Sequence, residues 1–299
     1  MKVKYASIIL SCFLVFGCSE QSVEKKPIPK QVPIKKINQS TSHRQIPVRS
    51  VQQDPWQNDS QLSRDKVRYG TPVLMSKFEA TLPDPIMAER DNIALAARYL
   101  SGAVVLPGEV FSLNNRLGRR TAERGFKMGP MYQGNILSYT TGGGICKVAS
   151  VLYNAAVLSN LTIVERHPHS MTVPYVPPGQ DATLNYGTKD VRFKNTTSGP
   201  ILIWSKSIGD TLHIAFFGVE KPPAVRWNHE VLARFPNRTE YVDDPNLPRG
   251  KEEVVFEGAE GITVHSWVDV KIQGNWERKD FGVDKYMTGA RRIKRGSGS

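Results

Sequence analysis

The chain is 299 residues long and carries 40 Lys and Arg against 28 Asp and Glu, a formal net charge of +12. Its three cysteines are too few for a disulfide scaffold, and its length is ample to bury a core without one. The basic excess lies in a Pro-rich linker and in the tail, with no groove-binding motif, so it does not point to nucleic acid.

The N-terminus reads Met1-Lys2-Val3-Lys4, then an uncharged apolar run from Tyr5 to Phe16, then Gly17-Cys18. This run is shorter than the about 20 apolar residues needed to span a bilayer, which makes residues 1–17 a secretory signal. Val15-Phe16-Gly17 before Cys18 resembles a lipobox. Cys18 is then the expected lipidation site, and its acyl chains would hold the protein to a membrane. Ser19, in place of Asp, resembles lipoproteins sent to the outer membrane where the host has two membranes. Cys12 leaves with the signal, so Cys146 is the one thiol of the mature region and no internal disulfide can form.

Residues 18–66 read as the lipidated Cys followed by a basic, extended tether. They hold Pro27, Pro29, Pro33, Pro47 and Pro55, and Lys25, Lys26, Lys30, Lys35, Lys36, Arg44 and Arg49. Such a segment suits contact with anionic lipid or an anionic wall polymer.

From residue 67 the pattern becomes α+β: a few helices packed on mostly antiparallel sheet, up to about residue 221. A strand is predicted over Tyr69–Thr81. Asp84-Pro85 should start a helix that carries Ile86, Ile93, Ala94, Ala97 and Leu100 and ends at Gly102. Val104 to Leu106 reads as a short strand. Ile145–Leu158 is the clearest helix, with Val148, Leu152, Ala155, Ala156 and Leu158 near one face. Strands are then predicted at 162–165, 170–176, 182–186, 191–194, 200–205 and 211–219, the last two joined as a hairpin through Ile208-Gly209-Asp210. Pro222-Pro223 marks a boundary, and residues 222–299, with spaced glycines between alternating segments, read as a small β module.

Several strings carry a family likeness. They are Pro107 to Asn114 (PGEVFSLN), Arg120-Thr121-Ala122 with Gly125-Phe126, Gly142 to Leu158 (GGGICKVASVLYNAAVL), Glu165 to Ser170 (ERHPHS), Tyr175 to Thr183 (YVPPGQDAT) and Phe193 to Asn195 (FKN). Together they resemble the VanW family over about Ala80 to Val219. The C-terminal part is distantly similar to the five-glycine module of bacterial envelope proteins. The resemblance implies a cell-envelope setting and leaves the mechanism to the residues. Lys147 departs from the Gln that commonly follows the family's Cys.

Chemistry is concentrated around Cys146. Gly142, Gly143 and Gly144 lead into a helix whose first turn holds this thiol, where free N–H groups and the helix dipole favour thiolate. These glycines and Lys147 are candidates for a ligand or oxyanion site. His167 and His169 flank Pro168, and in an extended segment their rings point to one side, so either could act as base for Cys146. His169, at the start of the predicted 170–176 strand, is the expected base, and Asp181 or Asp190 the orienter. A metal site of Cys146, His167 and His169 has no evident fourth ligand, so no metal or other cofactor is expected.

Two functions follow. One is a Cys-His-dependent hydrolase or acyl transferase of peptidoglycan or another wall polymer. The other is a non-catalytic envelope binding or scaffold protein with a structural Cys146, whose Trp227, Trp267 and Trp276 suit sugar or protein contacts, though core packing explains each of them equally well.

Overall fold

The computed structural model describes residues 54–83, 85–133 and 136–298. The signal segment, Cys18, most of the tether and Asp84 lie outside the described residues.

Residues 60–66, read as the end of the tether, belong instead to a helix, α1 (Ser60–Tyr69). Asp59 caps it by accepting from the Leu62 N–H at 2.9 Å, and Gly70 closes it in the left-handed region at φ +63. Only Leu62 of this helix is buried. That leaves no apolar stripe in the sequence to betray it.

The chain continues through β1 (Val73–Thr81), α2 (Met87–Leu100), β2 (Ala103–Val105), β3 (Val110–Ser112), α3 (Leu113–Leu117), β4 (Met128–Gln133), β5 (Ile136–Thr141) and α4 (Cys146–Leu158). β6 (Thr162–Glu165), β7 (Arg192–Lys194), β8 (Ile201–Ile208) and β9 (Thr211–Gly218) complete the α+β region. β1, β9, β8 and β2 form an antiparallel sheet in that order. Its middle strands are apolar on both faces. Leu212, Ile214 and Phe216 of β9 meet the main core with α2 and α4, while Ala215 and Phe217 point to a second core under α1 with Leu62 and Trp204. Alternation in a strand thus explains why β9 reads as a nearly continuous apolar run.

α4 is buried from Lys147 to Val157 and packs on β1 and β9. Each fully buried Val or Leu on it contributes about 1.5–3 kcal/mol of burial. β3, β7 and β6 form a second small sheet, and β4 and β5 pair as a hairpin.

The predicted strands at 170–176 and 182–186 do not form. This stretch is irregular apart from one bridge, Asn185 to Lys189. Pro168, Pro174, Pro177 and Pro178 each lack an N–H, which interrupts any ladder here.

The C-terminal module has two three-stranded sheets, formed by β10 (Val225–Phe235), β11 (Thr239–Pro248), β12 (Glu252–Phe256), β13 (Gly261–Ile272), β14 (Asn275–Tyr286) and β15 (Arg291–Gly298). Their orders are β10-β13-β14, antiparallel, and β11-β15-β12, in which β11 runs parallel to β15. Val268 and Val270 of β13 join the main core, and Trp227 and Phe281 pack on Tyr153 of α4. The module is therefore seated on the α+β region.

Candidate active site

The glycine run brings α4 to its start through close backbone contact. Gly142 and Gly144 have φ +80 and +93. A Cβ on Gly143 would lie 2.1 Å from the Gly129 carbonyl oxygen, so only glycine fits between the hairpin and the helix. Asn92 of α2 ties the same place, donating to the Gly143 and Lys127 carbonyls at 3.0 and 2.9 Å. Gly143→Ala is expected to lower the unfolding free energy by about 2 kcal/mol or more, because backbone faces backbone there and no side chain can yield. Urea denaturation measures it, and an unchanged midpoint would count against this reading of the contact.

Cys146 is the first residue of α4 and is half-buried. With Ser150 and Asn154 it forms a row one helical turn apart that laces the irregular segment 180–184. Leu184 N–H donates to the Cys146 sulfur at 3.4 Å, Ala182 N–H to Ser150 Oγ at 2.9 Å, and Asn154 Nδ2 to the Gln180 carbonyl at 2.7 Å. Four residues of helix rise about 6 Å and two residues of extended chain about 6.6 Å, which is why every fourth residue of one meets every second residue of the other.

That lacing delivers Asp181. Its Oδ2 accepts from the His169 backbone N–H at 2.7 Å and lies 2.7 Å from His169 Nδ1. Against a carboxylate, Nδ1 carries the proton, which leaves Nε2 for the sulfur. Burial raises the Asp181 carboxyl, but hydrogen bonds from His169 and Tyr286 and the charges of His169 and Arg166 outweigh it, holding the group below its usual value. Burial likewise pushes the Cys146 thiol up. The hydrogen bond and charge of His169, the Leu184 N–H and the Arg120 charge win, and the thiol is lowered. Burial opposes the His169 imidazolium, whereas Asp181 and Cys146 favour it, and its pKa rises to about 9. Both shifts favour a thiolate–imidazolium pair, with Asp181 behind the ring.

The other sequence candidates lie elsewhere. His167 Nε2 is 3.1 Å from Glu165 Oε1, so the two imidazoles do not share the sulfur. Asp190 accepts from Ser112 Oγ at 2.5 Å and Asn114 N–H at 2.9 Å, at the start of α3. Lys147 is buried on another side of α4, donates to the Asp210 carbonyl at 2.7 Å, and is absent from the cavity lining. Burial lowers its pKa to about 8 against the raising charges of Glu89 and Asp210. The Gly142 and Gly143 N–H groups already donate to the Lys127 and Thr140 carbonyls, so these two supply no oxyanion donor although they line the cavity. Of the two readings open for Trp227, core packing is the one observed: it stacks on His229 and packs against Tyr153 and Phe281. Among the described residues no group of three or more His, Cys, Asp or Glu is placed to hold a metal ion.

Cys146 and His169 open into a cavity of about 620 Å³, large enough for a peptide-sized ligand. Arg119 and Arg120 stand over Tyr186 on its wall, 5.2 and 5.4 Å from the ring centre. Arg120 is held by Asn114 Oδ1 at 2.8 Å and the Gly118 carbonyl at 3.0 Å.

Residues 88–217, which include Cys146, His169 and Asp181, match the family described as VanW like protein. This region belongs to the VanW family. Residues 229–287 match the G5 domain, so the β module is of G5 type. Over 126 residues the chain is 44% identical to the uncharacterized protein YoaR of Bacillus subtilis (strain 168), covering 42% of each chain. Over 139 residues it is 27% identical to the vancomycin B-type resistance protein VanW of Enterococcus faecalis (strain ATCC 700802 / V583), covering 45% of this chain and 50% of that one. The chain thus spans half or less of these relatives' length. A solved IgA1 protease G5 domain covers 27% of this chain and 98% of its own, at 17% identity and TM-score 0.18. The VanW-like match starts inside α2, yet β1, which precedes it, is a strand of the central sheet.

Proposed function

We propose that this chain is an extracytoplasmic cell-envelope protein whose VanW-like domain is a cysteine-dependent hydrolase or acyl transferase of peptidoglycan or a related wall polymer. The VanW-like and G5 domains support the wall setting. The Cys18 lipid anchor, at the outer membrane if the host has two membranes, completes the reading of location. The observation that carries the chemistry is the line of Asp181, His169 and Cys146, ending at the cavity.

In this reading the Cys146 thiolate attacks an amide carbonyl carbon, forming the C–S bond. The His169 imidazolium gives its proton to the nitrogen as the C–N bond breaks, and an acyl thioester and a free amine result. Water or an acceptor amine then attacks the thioester, His169 takes its proton, and the sulfur leaves as thiolate. Asp181 holds the Nδ1 proton and the ring's orientation throughout.

Full-length wild type, Cys146→Ala and Cys146→Ser are to be compared on purified peptidoglycan, with products read by mass spectrometry. The expected result is loss of turnover by about a thousandfold or more in both variants. Equal products from all three would leave the envelope-binding reading in its place.

A further inference from the structure

We infer that the G5 module is part of the Cys146 site, with Tyr286 as a positioning residue that fixes the Asp181 carboxylate behind His169. The inference rests on the enzymatic reading above and extends it to a second domain.

Asp181 has two oxygens with separate duties. Oδ2 serves His169 alone, through both ring and backbone. Oδ1 is held from behind by the Tyr286 hydroxyl, which donates to it, and by Arg166, whose Nη2 donates at 3.0 Å. Tyr286 is the last residue of β14 and is 3% exposed. Its oxygen also accepts from the Gly179 N–H at 2.7 Å, so one phenol joins the backbone before Asp181 to the carboxylate itself. Arg166 is fixed on the same side, because its Nη1 donates to Asp284 Oδ2 at 2.5 Å.

The module grips the backbone as well. The Met287 N–H donates to the Ser170 carbonyl at 2.7 Å, directly after His169. Gly179 lies so close to β13 that a Cβ there would fall 2.0 Å from Ser266 Oγ. Both segments that carry His169 and Asp181 lack ladders of their own. Residues 284–287 supply the fixed points that a strand would otherwise provide, and a carboxylate so held keeps Oδ2 aimed at Nδ1.

Tyr286→Phe removes the hydroxyl and keeps the ring. Oδ1 then turns fully to Arg166, and Oδ2 is drawn off the imidazole. In the full-length variant, the apparent thiol pKa read from iodoacetamide alkylation against pH is expected to rise by about one, which slows alkylation of Cys146 by about tenfold on the acid side of the profile. On purified peptidoglycan the loss is expected in kcat rather than KM. Asp284→Asn, which loosens Arg166 and leaves the phenol in place, should shift the same profile in the same direction by less.

A Tyr286→Phe protein that is folded by circular dichroism and superposes on the wild-type alkylation profile overturns the inference, as does faster alkylation. Loss of fold in both variants also overturns it, in favour of a purely structural contact. Undiminished turnover in Cys146→Ala removes the underlying enzymatic reading, whereas an unchanged profile in Tyr286→Phe removes this inference alone.

Discussion

Asp181→Asn is expected to reduce turnover on peptidoglycan by about 10³–10⁴-fold and to destabilise the fold by about 3–5 kcal/mol. Asp181 is 1% exposed and meets four donor groups: His169 N, His169 Nδ1, Arg166 Nη2 and Tyr286 Oη. An asparagine can present one acceptor oxygen only. If that oxygen faces His169, its NH₂ opposes the Arg166 and Tyr286 donors; if it faces them, the NH₂ opposes Nδ1–H and forces the wrong tautomer. Arg166, with a side chain 10% exposed, is left with Asp284 as its carboxylate partner.

The acid limb of stability tests the same group. Asp181 titrates below its usual 3.8, so its contribution is complete above that pH and is lost as pH falls through the lower, folded value. Urea denaturation of wild type between pH 7 and pH 2 should show this loss, and Asp181→Asn should show a shallower one. A variant as stable and as readily alkylated as wild type would sink the relay.

The sequence singles out Cys146, His169 and Asp181, and the structure places Cys146 and His169 on one cavity with Asp181 behind the His169 ring. The route differs from the expected one. The 170–176 strand at whose start His169 is expected does not form; its segment is irregular, and the Asp181 carboxylate itself takes the His169 backbone N–H. A local carboxylate-to-backbone contact has no period to be read. The spacing of Cys146, Ser150 and Asn154 did hold a legible signal: a row of polar groups on a helix buried all round must meet backbone partners. Tyr286 and Asp284 had no such signal. They sit 105 and 118 residues from their partners, and in β14 a tyrosine and an aspartate look like ordinary strand residues. Helix α1 was hidden for the opposite reason, since its single buried Leu62 lies among polar residues that continue the texture of the tether.

The two histidines beside Pro168 separate the site from its surroundings. His169 is 9% exposed and lies between Asp181 and the cavity, while His167 is partly exposed and meets Glu165. In His169→Ala the thiol keeps its burial penalty and loses the partner that outweighs it, so the apparent pKa of Cys146 rises. A rise of about two would slow alkylation by about a hundredfold on the acid side of the wild-type profile. His167→Ala removes a surface contact worth about 0–1 kcal/mol and should alkylate within about twofold of wild type. The alkaline limb gives a second readout. The His169 pKa is raised from 6.5 to about 9, so the stability it contributes is complete below about 6.5 and is lost as pH rises through about 9. In the proposed reaction the imidazolium is the acid, so turnover should fall over the same range. Wild type and His167→Ala should therefore share a limb near pH 9 in both turnover and thermal stability, and His169→Ala should lack it. If instead His167→Ala loses the limb and His169→Ala keeps it, the base has been assigned to the wrong ring.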